Sequence, residues 1–413
     1  MLVPLWVCAG PLSGQSTDEE QLNALRALGY INHPPEPREG SSLAKSGLVF
    51  SRQRYVAPGY TLLTAIPEAQ AVLVDNQGRY VQKWRDEHAQ AWTRSLLLED
   101  GDLLVIGDLR DSREQESLAA RGDKSPAVDP LDGKPWWPIH GQYLARYSWD
   151  GDLKWRRAAI IHHDIGMSRN GKFLTLGLQN RTVDDVTIED HTVLILSPTG
   201  EIESRYSLFD LLSSNPGMFK MPMTTSFPRP HSLGGELDLL HSNAISSMFF
   251  PGQEDPDGIY CEHCVIVTVR HQNLVAVFDL EQEKLLWVWG PGELEFPHEG
   301  RLLKNGNILI FDNGSEERGF SRIVEVEPSS GNIVWSYQAD PPESFFTAGR
   351  GTSQPLPNGN VLIASSNQGQ IFEVTRNGQL VWHYYLRGRG FKLLTMRAAK
   401  YPPSWVDPLL SSE

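Results

Sequence analysis

Four residues stand out for what their side chains can do. His298 sits in Phe296-Pro297-His298-Glu299-Gly300, a stretch that leads through Asn305-Gly306-Asn307 to Asp312-Asn313-Gly314. His163 holds the matching place before another turn, since it lies eight residues ahead of Gly171 as His298 lies eight ahead of Gly306. His241 opens Leu240-His241-Ser242-Asn243-Ala244-Ile245, and Arg270 follows Thr268-Val269. Neutral imidazoles supply a nucleophile and a general base, while a guanidinium offers a fork of donors that matches sulfate, phosphate or carboxylate. Together they suit transfer of an anionic group. The same step back from Gly101 reaches Thr93 and from Gly359 reaches Gly351, so histidine is not a feature of the repeat itself. Any one of these histidines reads equally well as a polar residue wetting a channel; three at matched positions beside an arginine favour a site. A three-histidine metal centre with an open position is a second chemistry for the same residues, disfavoured by an arginine next to a dication.

The elements that position these residues are strands. Asn305-Gly306 between two apolar runs predicts a β-hairpin whose two turn residues both accept positive φ. Similar apolar hairpins recur around Gly101, Gly171 and Gly359. A second half-unit, an apolar strand, a turn and a strand ending in an aromatic, recurs at 71–84, 144–155, 193–206, 275–287, 323–335 and 371–382. Paired halves make four strands, the content of one propeller blade, and a ring of blades buries faces that a single blade cannot. The expected fold is therefore all-β, a six-bladed β-propeller at 57–385. Residues 1–56 form an N-terminal arm with a short amphipathic helix at 16–30 broken by Pro34, Pro35 and Pro37, and 386–413 form a tail packing on the ring. Residues 60–65 read as a first inner half without the Asn-Gly turn, and Pro402-Pro403-Ser404-Trp405 as the end of regular structure. Insertions at 110–142 and 208–240 read as loops over one end of the ring. Trp136-Trp137-Pro138, Phe219, Met221, Met223 and Phe227 in them suit either apolar walls at the channel mouth or packing on the rim.

At these residues the sequence resembles the arylsulfate sulfotransferase family over most of 57–385. The resemblance is carried by His163-Asp164, Leu240-His241-Ser242-Asn243, Val269-Arg270-His271-Gln272 leading to Trp287-Val288-Trp289-Gly290, and Pro297-His298-Glu299 leading to Asp312-Asn313-Gly314. It implies a six-bladed propeller and nucleotide-independent sulfuryl transfer from an aryl sulfate to a phenol, by a ping-pong route through a sulfated histidine. By the same resemblance His298 matches the nucleophile. His163 and His241 bind the sulfuryl oxygens or handle the phenol proton, and Arg270 neutralises the transferring group. We therefore expect catalysis from His298, His241, His163 and Arg270, substrate binding from His162, Asn243 and His271, and neither metal nor cofactor.

Composition narrows the partners. Lys and Arg number 37 against 51 Asp and Glu in 413 residues, a formal charge of −14 that repels phosphate backbones and argues against nucleic acid. No apolar run is long enough to span a membrane. Met1-Leu2-Val3-Pro4-Leu5-Trp6-Val7-Cys8 reads as a signal remnant or an ordinary start, and Cys261-Glu262-His263-Cys264 as a small disulfide or two free thiols; if oxidised, it favours a periplasmic or extracellular protein. Two other functions fit the same composition: a non-catalytic propeller binding a small anion or a partner protein, and a quinone-dependent dehydrogenase, which normally needs a larger ring and calcium.

Overall fold

The computed structural model describes residues 46–66, 68–109, 142–168, 170–223, 236–252, 255, 258–386 and 394–411. They form six antiparallel sheets arranged as a six-bladed β-propeller, each sheet a meander of hydrogen-bonded neighbours. The innermost strands, which touch one another around the axis, are Leu394–Tyr401, Ala89–Leu97, Ile161–Met167, Ser242–Ser247, His298–Leu302 and Thr352–Pro355. Burial falls from the middle of a blade to its edge. Cys264–Val269 and Leu274–Asp279 are buried throughout, because a neighbouring blade covers each face, whereas the edge strand Asn332–Tyr337 is mostly exposed.

The inner hairpins share one geometry, and it differs from the expected two-residue turn. Gly306 N–H donates to Leu303 O (2.9 Å), Leu303 N–H donates to Asn307 O (2.8 Å), and of the Asn305-Gly306 pair only Gly306 has positive φ, +87°. This is a turn closed by a left-handed glycine, the G1-bulge arrangement. Gly101, Gly171 and Gly359 repeat both hydrogen bonds. The recurring tryptophans have an equally specific task. Nε1–H of Trp84 donates to Ser148 O (2.9 Å), of Trp287 to Pro328 O (3.2 Å), of Trp335 to Arg376 O (2.7 Å) and of Trp382 to Asn76 O (3.0 Å), each time reaching the outer turn of the next blade. The last bond runs from the sixth blade to the first and closes the ring.

The ends of the chain depart from the sequence reading. Leu394–Tyr401 is the innermost strand of the first blade, paired with Tyr60–Ile66 from Tyr60↔Tyr401 to Ile66↔Leu394, so the ring extends past residue 385 and Tyr60–Ile66 is a second strand. This strand carries no Asn-Gly turn of its own, which is why the repeat pattern passes over it. Gly47–Ser51, inside the expected arm, adds a fifth strand to the outer edge of the sixth blade. Pro402-Pro403 begins a helix, Pro403–Leu410 (α2), instead of ending order: proline suits the first helical turn, where its missing N–H has no partner to lose. Within the second insertion Leu208–Ser213 (α1) is helical, capped by the Ser207 side chain, with Leu208, Leu211 and Leu212 buried. The 16–30 helix lies outside the described residues. No helix among the described residues is long and apolar enough to cross a membrane.

Candidate active site

A recess of about 60 Å³ opens on the propeller axis, and Thr93, His163, His241, Asn243, Arg270, His298, Arg350 and Gly351 are in its wall. The eight-residue step therefore leads to one place from all four inner turns: Thr93, His163, His298 and Gly351 all line it. What brings them together is a break in strand register. Pairing slips at Thr93, at His163-Asp164, at Asn243, at Glu299-Gly300 and at Met396, in five of the six innermost strands. Each slip leaves extra residues unpaired and re-aims the side chains around them. His163 (φ +60°), His241 (+43°), Glu299 (+42°) and Arg350 (+61°) adopt left-handed backbone, at a cost of about 1–3 kcal/mol each.

His298 is held in one tautomer. Its Nδ1–H donates to Asn313 Oδ1 (2.6 Å), and the Asn313 amide is itself oriented because its Nδ2 donates to Thr347 O (2.6 Å) and Arg350 O (2.7 Å). The other ring nitrogen, Nε2, keeps its lone pair and accepts the Arg350 N–H at 3.0 Å. Burial, helped by the positive charge of Arg270, pushes its pKa down to about 3, so the ring is neutral. Arg270 is buried, and its guanidinium lies 4.9 Å from the Phe296 ring centre.

Two further chains of contact set the other recess histidines. His162 Nε2–H donates to Gly177 O (3.2 Å), which leaves its Nδ1 to accept from His163 Nδ1 (2.6 Å) and makes His163 Nε2 the acceptor nitrogen. His241 Nδ1–H donates to Asp238 Oδ2 (2.6 Å), so Nε2 is again the acceptor. Burial lowers the pKa of His241 against the pull of Asp238, and burial with neighbouring rings drives His162 and His163 well down.

His162 and His271 are not in the recess wall, contrary to the expectation that they bind substrate. His271 is stacked on His241 at 4.6 Å, and its Nδ1 donates to Asp238 O (2.8 Å). Both rings stand one layer behind, where they orient the residues in front. Asn243 is in the wall, with Nδ2 bound to Pro297 O (3.0 Å). Phe219, Met221 and Met223 pack on the core between the third and fourth blades; Trp136, Trp137, Pro138 and Phe227 lie outside the described residues.

A plug of paired charge meets the recess, with Arg94 and Glu299 themselves in its wall. Asp164 pairs with Arg94 and with Arg397 (3.2 Å), and Glu299 with Arg301 (2.8 Å to Nε) and Arg94 (3.5 Å), all buried or nearly so. Burial opposes ionisation of Glu299, but Arg301, Arg397 and Arg94 outweigh it and hold the carboxyl at about 2. Each acid follows a recess histidine in sequence: Glu299 lines the recess together with His298, whereas Asp164 stands outside the wall that His163 enters.

The sequence reading missed Asp238, His191, Asn313, Arg350 and this plug. Asp238 stands three positions ahead of His241, the one local signal that could have found it; Asn313 was visible only as part of a turn. Among the described residues three groups have ligand atoms within 4.8 Å of one another: Asp238 with His241 and His271, Glu189 with His191 and Asp238, and, away from the recess, Cys261 and Cys264 with Asp279, whose two cysteines are joined as a disulfide. His241 and His271 Nδ1 are already hydrogen-bonded to Asp238. The trio His163, His241 and His298 is not among the metal-competent groups of the described residues.

A family model described as Arylsulfotransferase (ASST) matches residues 138–387. No curated protein matches the chain. Among solved structures, the chain is similar to a protein of unknown function from Bacteroides caccae (13% identity, 83% of this chain and 99% of that one, TM-score 0.49). It is also similar to virginiamycin B lyase from Staphylococcus aureus (10%, 84% and 90%, TM-score 0.41) and to the Swd1 β-propeller domain of Myceliophteria thermophila (11%, 83% and 87%, TM-score 0.44).

Proposed function

The chain belongs to the arylsulfotransferase family, and from that premise we propose that it moves a sulfuryl group from an aryl sulfate to a phenol, without a nucleotide donor, through a sulfated His298. The observation that carries this reading is the state of His298: a neutral buried imidazole, its Nδ1–H tied to an amide and its Nε2 lone pair in the wall of a recess it shares with Arg270. Nε2 attacks sulfur, the aryl oxygen–sulfur bond breaks and the phenolate leaves. The Arg350 N–H must release Nε2 first. The Asn313 carbonyl holds the Nδ1 proton but is too weak a base to take it, so the sulfated ring stays cationic and remains a good leaving group for the second transfer. Arg270 offsets the sulfuryl oxygens' charge throughout. The anionic head enters the recess beside His298 and Arg270, and the aryl ring lies towards its mouth.

The test is p-nitrophenolate release from p-nitrophenyl sulfate with a phenol acceptor, for the intact chain and for His298→Asn. Release that needs the acceptor, a sulfated His298 peptide by mass spectrometry, and a loss of about 10⁴-fold or more in the variant are expected. A folded protein that releases nothing across several donors would instead point to an anion-binding propeller. The Cys261–Cys264 disulfide supports a periplasmic or extracellular location, where such bonds persist; thiol alkylation of the native protein should label neither cysteine.

A further inference from the structure

Asp238 stands behind the recess and carries no part of the function described so far, yet it organises the rings around it. Oδ1 accepts the His241 backbone N–H (2.8 Å), Oδ2 accepts His241 Nδ1–H (2.6 Å), the main-chain oxygen accepts His271 Nδ1–H (2.8 Å), and His191 Nε2 lies 3.4 Å from Oδ1. All four side chains are buried. The left-handed backbone of His241 is thus fixed at two points by one carboxylate three residues away.

The contrast with His298 assigns the roles. A ring backed by a carboxylate gains stabilisation when it takes up a proton, because the imidazolium forms against a fixed negative charge; a ring backed by an amide oxygen gains much less. A neutral His241 also offers its Nε2 as an acceptor, which suits an incoming hydroxyl better than a sulfuryl oxygen. We propose that Asp238 is the positioning residue that makes His241 the general base for the acceptor phenol, leaving His298 to bond sulfur. In the second half-reaction the phenol proton passes to His241 Nε2 as the phenol oxygen bonds sulfur. The nitrogen–sulfur bond breaks, and its electron pair returns to His298 Nε2. His241 then releases the proton to solvent.

The groups that face His241 are Asp238 from its own segment, His162, His163 and His191 from the third blade, Arg270 and His271 from the turn after Cys264–Val269, and His298 from the fifth blade; Glu299 lines the same recess with its carboxylate bonded to Arg301. Asp238 is the anion that bonds His241 directly. Its loss should shift the base limb of the pH profile for phenol transfer to higher pH, since the base then depends on the acceptor's own ionisation.

This inference rests on the sulfuryl-transfer reading, and the experiment separates the two. Sulfated enzyme is made with p-nitrophenyl sulfate and mixed with an ordinary phenol, which must lose a proton, or with an acidic nitrophenol, which has already lost it at neutral pH. For Asp238→Asn, transfer to phenol should fall by about 10²-fold and transfer to the nitrophenol by less than about 10-fold. His241→Gln should show the same dependence on the acceptor. Should Asp238→Asn fail to fold, Asp238→Glu and His241→Gln carry the comparison with the same two acceptors. Equal losses for both acceptors, as a merely structural role would give, or no loss at all, overturn the proposal while wild-type transfer stands. If wild type forms no sulfated His298, the underlying reading fails first.

Discussion

Two sets of side chains meet around the recess, and burial has acted on them in opposite ways. In the first His162, His163, His241, His271 and His298 are buried among one another and have given up their charge, since an imidazole can shed a proton at little cost near neutral pH. In the second Arg94, Arg301 and Arg397 face Asp164 and Glu299 at similar burial and keep theirs, because a guanidinium cannot deprotonate and so must be paired. Burial alone therefore does not decide ionisation. The residue type does, together with the partner that the strand bulges bring within reach. The recess thus sets neutral imidazoles beside groups that stay charged, Arg270 and Glu299 in its wall and Asp238 behind it.

The largest effect that could break this comparison is in the plug. Arg94→Met removes the guanidinium shared by Asp164 and Glu299, and the cost should be about 3–5 kcal/mol in urea unfolding. A loss below about 1 kcal/mol would mean that the carboxyls are not ionised there, and the contrast between the two sets would collapse. Next is Asn313→Asp, which places a charge behind His298 like the one behind His241. The His298 pKa, now about 3, should rise by at least one unit, about 1.4 kcal/mol, and transfer should slow by roughly 10-fold as the sulfated ring is stabilised. Histidine titration by NMR and single-turnover kinetics read the two effects separately; an unchanged pKa would deny the amide its role.

The smallest effect concerns acid stability. His298 and His271 have pKa values of about 3 in the fold against 6.5 in the unfolded chain, so the unfolded state binds more protons between those values. Their contribution is complete above about pH 6.5 and is lost as the pH falls towards 3. Glu299, at about 2 against 4.5, contributes fully above 4.5 and loses its contribution only as the pH falls towards 2. Thermal unfolding followed against pH should therefore weaken in two steps, the histidines first. His271→Gln should flatten the first step and leave the second; a single step below pH 4.5 would show that the histidines are already protonated at neutral pH.

Much of this was legible in the chain. The recurring glycine turns and the outer strands ending in an aromatic announced the blades, because four blades share the same tight inner turn and four send an indole to the outer turn of the next blade. His163 and His298 declared themselves by their equal distance from a turn. Asp238 and Asn313 did not, since a hydrogen-bonded carboxylate and an amide in a turn look like any loop residues until the ring they face is known. Leu394–Tyr401 stayed hidden for a related reason: its partner is Tyr60–Ile66, more than three hundred positions away, and no local pattern marks so distant a pairing.

The sequence by itself determined the repeat, the blade count and the matched places of His163 and His298 ahead of their turns, because strand alternation and turn length are local properties. The tertiary structure alone decided what those residues can do there. The bulges that turn each histidine to the recess, the amide behind His298, the carboxylate behind His241 and the paired charges beside them join segments that are remote in sequence, and a pKa or a tautomer is a property of those neighbours, not of the residue.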